Sequence, residues 1–466
     1  MDKRDDTPPP AAHARPRRRP AGPGPRGNAA TPSGDASSRK AAPKQRPTQP
    51  PAPRSDQPHA ARQGALRLLA AVRDGATLAE GAAALDRLAP PDRARAQRLA
   101  ADTLRHRGRA DAVLAPLLSG RTRPETLDLL RLSVTEMLAL AEAPHGVVNA
   151  AVALARAGGP KAAAAAGMVN AVLRRAADAQ SAWDAAPPAR LPDWLRRPVA
   201  DRWGEAVAAA IEAAHERPAP LDLTPNGDTP GEALPTGSRR LPAGTQVTAL
   251  PGYDAGQWWV QDAAAALPAL LLDPRPGEAI ADLCAAPGGK TMQLAAAGAD
   301  VAAIDLSPAR LDRVAENLRR TGLAATLVAA DALDWRPGAP LDAVLLDAPC
   351  SATGTIRRHP ELPLIRDGAM IPELVALQAR LIDHALSLLK PGGRLVYAVC
   401  SIHPAEGEAQ LAAALARHPG LTVDPAALPG LDPGWITAQG AIRTRPDHWP
   451  DRGGLDGFFV VRLRRG

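Results

Sequence analysis

Cysteine is nearly absent: the chain has three in 466 residues. Three thiols cannot build a disulfide framework, and their scarcity points to a reducing cytosol in which they stay free. No run of about 18 apolar residues free of charge and proline occurs, so no membrane-spanning helix is expected. The basic N-terminus lacks the apolar core of a secretory signal, which argues against export and for a cytoplasmic protein. Metal-ligand spacing is missing too. His359, His384 and His403 stand in no ligand pattern with the cysteines, so no metal is implied.

An excess of one charge is confined to the start. Residues 1–60 hold 12 Lys and Arg against 5 Asp, which accounts for the whole formal net charge of +7. The same segment carries 14 prolines and almost nothing apolar. It cannot offset the entropy of ordering and is expected to be a disordered tail. Such a tail adds salt-sensitive, sequence-blind attraction to nucleic acid, or serves only as a solubilising extension.

The remainder is long enough for two or three domains. Over residues 61–180 apolar positions recur at spacings of three and four, as in "DRARAQRLAADTLRHRGRADAVLAPLL" and "PETLDLLRLSVTEMLAL". Breakers such as Pro90, Gly120, Pro124 and Pro144 fall between them, which predicts a compact all-α bundle. Its arginines read individually as a solvated surface, with an RNA-docking face as the alternative. Residues 181–270 mix helix, short strands and a final helix, the pattern of a small α/β linker module. Over residues 271–466 short apolar runs alternate with helical segments: "EAIADLC", "ADVAAID", "ATLVAAD", "LDAVLLDAP" and "GRLVYAVC". That order predicts a parallel, doubly wound α/β sheet of Rossmann-like kind, with ligands beyond the strands' carboxyl ends. "LTVDP" and "GFFVVRLRR" are expected to add an antiparallel edge.

The first strand runs into "ADLCAAPGGKT", where Gly288 and Gly289 let the backbone approach a ligand at the positive end of a helix. A glycine turn alone is weak evidence; the acids decide. Asp282, Asp305, Asp331 and Asp347 stand at the tips of four successive strands. Asp305 is placed to accept from ribose hydroxyls and Asp331 to bond an adenine amino group. Four acids disfavour a dinucleotide pyrophosphate or ATP. They suit ribose, adenine and a cationic end, the description of S-adenosylmethionine. Helix capping explains one such acid better than the set.

Two of the three cysteines, Cys350 and Cys400, follow the fourth and fifth of these strands, which places both thiols at one sheet edge. A thiol there is a candidate nucleophile. Cytosine carbon 5 becomes reactive only after a thiolate adds at carbon 6, and its proton must leave before the thiol can. That chemistry needs a nucleophile, an acid near ring nitrogen 3 and a second proton-handling group. Asp347, Cys350 and Cys400 supply these, with the two thiols interchangeable on chemistry alone. The target base must be single-stranded or flipped out. Cys284 reads as a structural cysteine with a backbone contact to the cofactor.

The motifs "DLCAAPGGKT", "DAPCSATGTIRRHPE", "YAVCSIHPAEGEAQ" and "DGFFVVRLRR" resemble the RsmB/NOP family of RNA (cytosine-5) methyltransferases. The helical part ending "GMVNAVLRRAA" is similar to the NusB-like, RNA-binding domain of its bacterial 16S ribosomal RNA members, and "WWVQDAAAALPALLL" to the lead into their catalytic domain. The resemblance covers about residues 60–466. It implies a class I methyltransferase domain using S-adenosylmethionine, with 16S ribosomal RNA as substrate; a monomer is expected, although the sequence itself does not set the oligomeric state. It implies Cys400 as nucleophile, Cys350 in product release and Asp347 against the cytosine. The cofactor would meet Cys284, Ala285, Ala286, Pro287, Gly288, Gly289, Lys290, Asp305, Asp331 and Asp347. DNA cytosine methyltransferases use the cysteine of a proline–cysteine pair, which is the competing case for Cys350. The chain departs from the family at Val399, at "LPLIRDG" and at "PLDLTPNGD", so the departures fall on substrate contacts while every reactive position is filled. The alternatives are a transfer RNA cytosine-5 methyltransferase and a non-catalytic RNA-binding or antitermination factor.

Overall fold

In the computed structural model residues 59–466 are described, and the basic tail falls almost entirely outside them. The bundle contains the helices Ala60–Arg73, Pro90–Arg105, Arg107–Leu114, Pro124–Leu138, Pro144–Ala157 and Ala166–Ala176. Three of the prolines that punctuate the sequence sit in the first turn of a helix, where the missing N–H costs nothing. Leu68, Leu99 and Leu132 form one small core; Leu130, Val134, Val169 and Leu173 anchor a second.

The helical spacing across residues 92–118 predicts more continuity than the chain has, because it breaks at His106. Packing decides this. The His106 ring lies 5.6 Å from Trp183, and a Cβ on Gly108 would come within 2.9 Å of the Ala189 main chain. The helix turns to admit that segment.

The middle of the chain holds two helices, Asp193–Trp203 and Glu205–His215, then a four-stranded antiparallel sheet. Its strands are β1 (Leu221–Pro225), β2 (Glu232–Ala233), β3 (Arg239–Leu241) and β4 (Trp258–Val260), in the order β2-β3-β1-β4. The helix Ala263–Leu272 comes next, capped by Asp262, whose carboxylate accepts from the Ala264 amide at 2.8 Å.

The second sheet comprises β5 (Ala279–Leu283), β6 (Asp300–Asp305), β7 (Thr326–Ala329), β8 (Leu341–Asp347), β9 (Leu389–Val399), β10 (Thr422–Asp424), β11 (Ile442–Arg443) and β12 (Phe459–Arg464). The order is β10-β12-β9-β8-β5-β6-β7, with β11 paired to β12. Strands β5 to β9 run parallel; β12 returns antiparallel between β9 and β10. This is the Rossmann-like fold expected, antiparallel edge included.

The strand order reverses its march between β5 and β8, which opens a crevice beyond their carboxyl ends. Alternation along β8 builds both faces. Val344 and Leu346 join the core under the helix Ile371–Ser387, while Ala343 and Leu345 join the core under Ala263–Leu272. Val344, Leu345 and Leu346 are wholly buried. At roughly 1.5–3 kcal/mol per large aliphatic side chain, they hold the register that delivers Asp347 to the tip.

Candidate active site

The crevice has two halves. On the β5–β6 side the backbone is contorted: Cys284 has φ 63° and Gly288 φ 98°, and the Ala286–Pro287 peptide is cis. A Cβ on Gly288 would come within 2.9 Å of the Val314 side chain, so only glycine fits where the helix Gly289–Ala296 begins. Asp305 accepts from the Ala286 amide at 3.1 Å with one oxygen and from the Ser307 amide at 3.0 Å with the other. Arg310 donates to the Ala286 carbonyl at 2.6 Å. Asp331 is exposed beyond β7 and accepts from the Leu333 amide at 2.9 Å.

Asp282 lies wholly buried. One carboxylate oxygen accepts from Thr291 at 2.6 Å and the other has no partner. Burial pushes its pKa up to about 7 against the pull of Thr291 and Lys290. An unmatched buried carboxylate beside an open backbone turn fits a ligand carrying ribose and a positive end. Asp282, the Cys284–Lys290 turn and Asp305 are the groups that would hold it. Burial also pushes the Cys284 thiol up to about 12, helped by Asp347, so this cysteine stays protonated. It packs against the core of the sheet.

On the β8–β9 side, Cys350 and Cys400 are brought together with sulfurs 3.4 Å apart. Both belong to Cys–Ser pairs, and the serines anchor the loops. Buried Glu406 accepts from the Ser351 amide at 2.9 Å, the Ser351 hydroxyl at 2.5 Å, the Ser401 hydroxyl at 2.6 Å and the Gln378 amide at 3.1 Å. One carboxylate thus clamps both thiol loops. The hydrogen bond with Cys400, then burial, pushes the Cys350 thiol well above its ordinary range.

A cavity of about 520 Å³ opens here, with Cys400, Asp347, Lys290 and Phe458 in its wall. Lys290 donates to Asp347 at 2.7 Å and stands 5.5 Å from the Phe458 ring centroid. Burial works against the Lys290 charge, but Asp347 and Asp282 overcome it and raise the pKa. The sequence reading puts Lys290 with the cofactor; the structure sets it on Asp347, facing the same cavity as Cys400.

Further groups in this wall lie inside the quoted motifs, although the sequence does not show which of them pair. Arg358 donates to Asp262 at 2.6 Å and to Asp456 at 2.9 Å, tying the Cys350 loop to a helix cap and to the turn before β12. Burial opposes the Arg358 charge, and the two carboxylates more than reverse it. His359 is half exposed in the wall, 3.7 Å from Glu361. Glu406 lies within the motif "YAVCSIHPAEGEAQ" beside its partner Ser401, but Ser351 and Gln378 stand too far along the chain for spacing to reveal them. The repeated Cys–Ser pair is the one signal that points to them. Among the described residues no group of three His, Cys, Asp or Glu side chains is arranged to hold a metal, and no helix is long and apolar enough to cross a membrane.

A model of the 16S rRNA methyltransferase RsmB/F family matches residues 269–464, and a model of the NusB family matches residues 59–178. The ribosomal RNA small subunit methyltransferase B of Xylella fastidiosa (strain 9a5c) is 38% identical over 435 residues, covering 86% of this chain and 99% of the relative. That of Pseudomonas putida (strain KT2440) is 36% identical over 437 residues, covering 86% and 98%. Among solved structures PH0851 superposes with a TM-score of 0.63 at 24% identity, over 86% of this chain and 98% of that one, a likeness of fold.

Proposed function

The chain belongs to the RsmB/F family of 16S rRNA methyltransferases and is an S-adenosylmethionine-dependent RNA methyltransferase, and from that premise we propose that it methylates carbon 5 of a cytosine in 16S rRNA through Cys400. The observation that carries this reading is the pair of sulfurs 3.4 Å apart, of which Cys400 lines the cavity. S-adenosylmethionine supplies a methyl group on a sulfonium, an electrophile that cytosine carbon 5 is too weak to attack unaided.

The chain's residues supply the rest. Two thiols in contact cannot both ionise, and Cys350 is the one that holds its proton. Cys400, which lines the cavity together with Lys290, is assigned the attack. Its thiolate adds to cytosine carbon 6, and the carbon 5–carbon 6 electron pair makes carbon 5 nucleophilic. Asp347, steered by Lys290, faces the polar edge of the ring. Once Cys400 is bonded to carbon it no longer carries charge, and the largest cause of the raised Cys350 pKa is gone. The Cys350 thiol can then lose its own proton to solvent, and the thiolate so formed takes the carbon 5 proton; the carbon 5–carbon 6 double bond reforms and Cys400 leaves as thiolate. Asp282, the Cys284–Lys290 turn and Asp305 are assigned to the cofactor, with Asp331 beside the adenine. The enzyme is read as a cytoplasmic monomer that needs no metal. The relatives that span nearly this whole chain are named for small-subunit ribosomal RNA, which favours that substrate over transfer RNA.

Two variants test the proposal on a 16S rRNA transcript with S-adenosylmethionine. Cys400→Ala should lose methyl transfer by about a thousandfold or more. Cys350→Ala should leave a protein–RNA adduct that survives denaturing electrophoresis. Transfer at the wild-type rate by Cys400→Ala would overturn the assignment of the nucleophile.

A further inference from the structure

The helical bundle meets the loop after Cys350 along a seam. The Leu78 amide donates to Glu361 at 3.2 Å, Arg105 donates to the Arg357 carbonyl at 3.0 Å, and Ile365 packs against the core around Leu68 and Leu85. Two cavities open along it, of about 500 and 260 Å³, and both are bounded by Leu104, Arg107, Pro363 and Leu364. They form one groove divided by these side chains. One wall comes from the bundle and the facing one from the active-site loop with its helix Leu362–Ile365, while Ala189–Leu191 and His215 close the smaller cavity.

Arginine dominates the bundle's wall, and most of it is already neutralised. Arg73 pairs with Asp128. Arg131 takes Asp111 with two nitrogens, at 2.6 and 2.9 Å, and Arg105 takes Asp102 at 2.9 Å. Arg107 is the surplus cation. Its one ion pair among the described residues is a 3.7 Å contact with Asp111, a carboxylate Arg131 already holds in fork geometry. Burial, then the neighbouring Arg131, depresses the Arg107 pKa, and an incoming anion would counter the repulsion from Arg131. The Arg107 side chain remains 39% exposed, and across from it Leu364 is an apolar residue 42% exposed. A cation facing an apolar surface suits a polymer whose charge and flat apolar faces alternate, which is single-stranded nucleic acid.

We infer that this seam is a second RNA site, in which Arg107 takes a backbone phosphate of the same rRNA whose cytosine enters the Cys400 cavity, with Leu364 against an adjoining sugar or base. The inference rests on the RNA methyltransferase reading above and adds a site to it. Because the groove's far wall belongs to the loop that carries Cys350, occupancy holds that loop against the bundle.

The test is filter binding of the full chain to a 16S rRNA transcript across a salt series. Arg107→Ala should raise Kd about tenfold at low salt and reduce the slope of log K against log salt by about one, with Arg107→Lys close to wild type. Leu364→Glu puts an acid on the opposite wall at an exposed position and should weaken binding likewise, whereas Leu364→Lys should not. Thermal melts of each variant establish that it is folded, and the Leu364 pair decides the matter where Arg107→Ala is not. Wild-type Kd and slope in folded Arg107→Ala and Leu364→Glu would remove the groove as an RNA site. Methyl transfer by the wild-type chain to the same transcript is scored alongside. Its absence would count against the activity itself, whereas its presence with unchanged variants counts against the groove alone.

Discussion

The two halves of the crevice are built from different materials. On the β5–β6 side, carboxylates grip main-chain amides: Asp305 holds Ala286 and Ser307, and Asp331 holds Leu333. The pocket there is a shape of backbone, fixed by a glycine that nothing larger can replace. On the β8–β9 side, side chains grip side chains: Glu406 holds Ser351, Ser401 and Gln378, Lys290 holds Asp347, and sulfur touches sulfur. The first arrangement suits a ligand that is always the same molecule. The second places reactive atoms, which must be right to a fraction of an ångström and are exposed to any single side-chain change.

Glu406→Ala breaks the clamp on both thiol loops, and kcat should fall about a hundredfold while the Kd for S-adenosylmethionine barely moves. It also strands several buried donors, at about 1–3 kcal/mol for each, so a melt should show marked destabilisation. Equal losses in kcat and cofactor affinity would dissolve the distinction between the halves. Gly288→Ala is the converse variant. Overpacking against Val314 at a left-handed backbone position should weaken cofactor binding about tenfold, read by calorimetry. In such a chain at saturating cofactor, kcat should recover most of its value. The mildest intervention is Asp282→Asn. With its folded pKa raised to about 7, the buried carboxyl holds a proton that the unfolded chain gives up near pH 4. Its contribution to stability therefore falls as pH rises from about 4 to about 7, and is constant above that. The variant should flatten this decline, visible as melting-temperature differences of about 2–4 °C per kcal/mol. A wild-type melting curve independent of pH over that window would place Asp282 in a wetter setting than the structure shows.

How much of this the sequence discloses divides along the same line. β8 could be read because its centre, "AVLL", lies between two covered faces and makes a short unbroken apolar run. The acids end strands, and the thiols come after acids or apolar runs at short range, so the sequence alone sets Cys350 and Cys400 at one edge. Glu406 cannot be found that way. Its bond to Ser401 is local, but the bond to Ser351 that makes it a clamp spans 55 positions. The break at His106 is hidden for the same reason, since Ala189 and Trp183 decide it from a distance. Pro90, Pro124 and Pro144 separate helices, as the sequence suggests, but each also begins the first turn of the helix on its C-terminal side.

The antiparallel β12 has a consequence in time. Phe459 pairs with Val399, and Arg464 with Arg394, so the strand that ends one residue before Cys400 stays open along one edge until the last stretch of the sheet has been synthesised. An unpaired edge of this kind is a template for wrong partners. The bundle can fold early, on local contacts alone. The Cys400 sulfur reaches its final setting only when Phe459–Arg464 zips along β9, so during translation the pair of thiols is completed late.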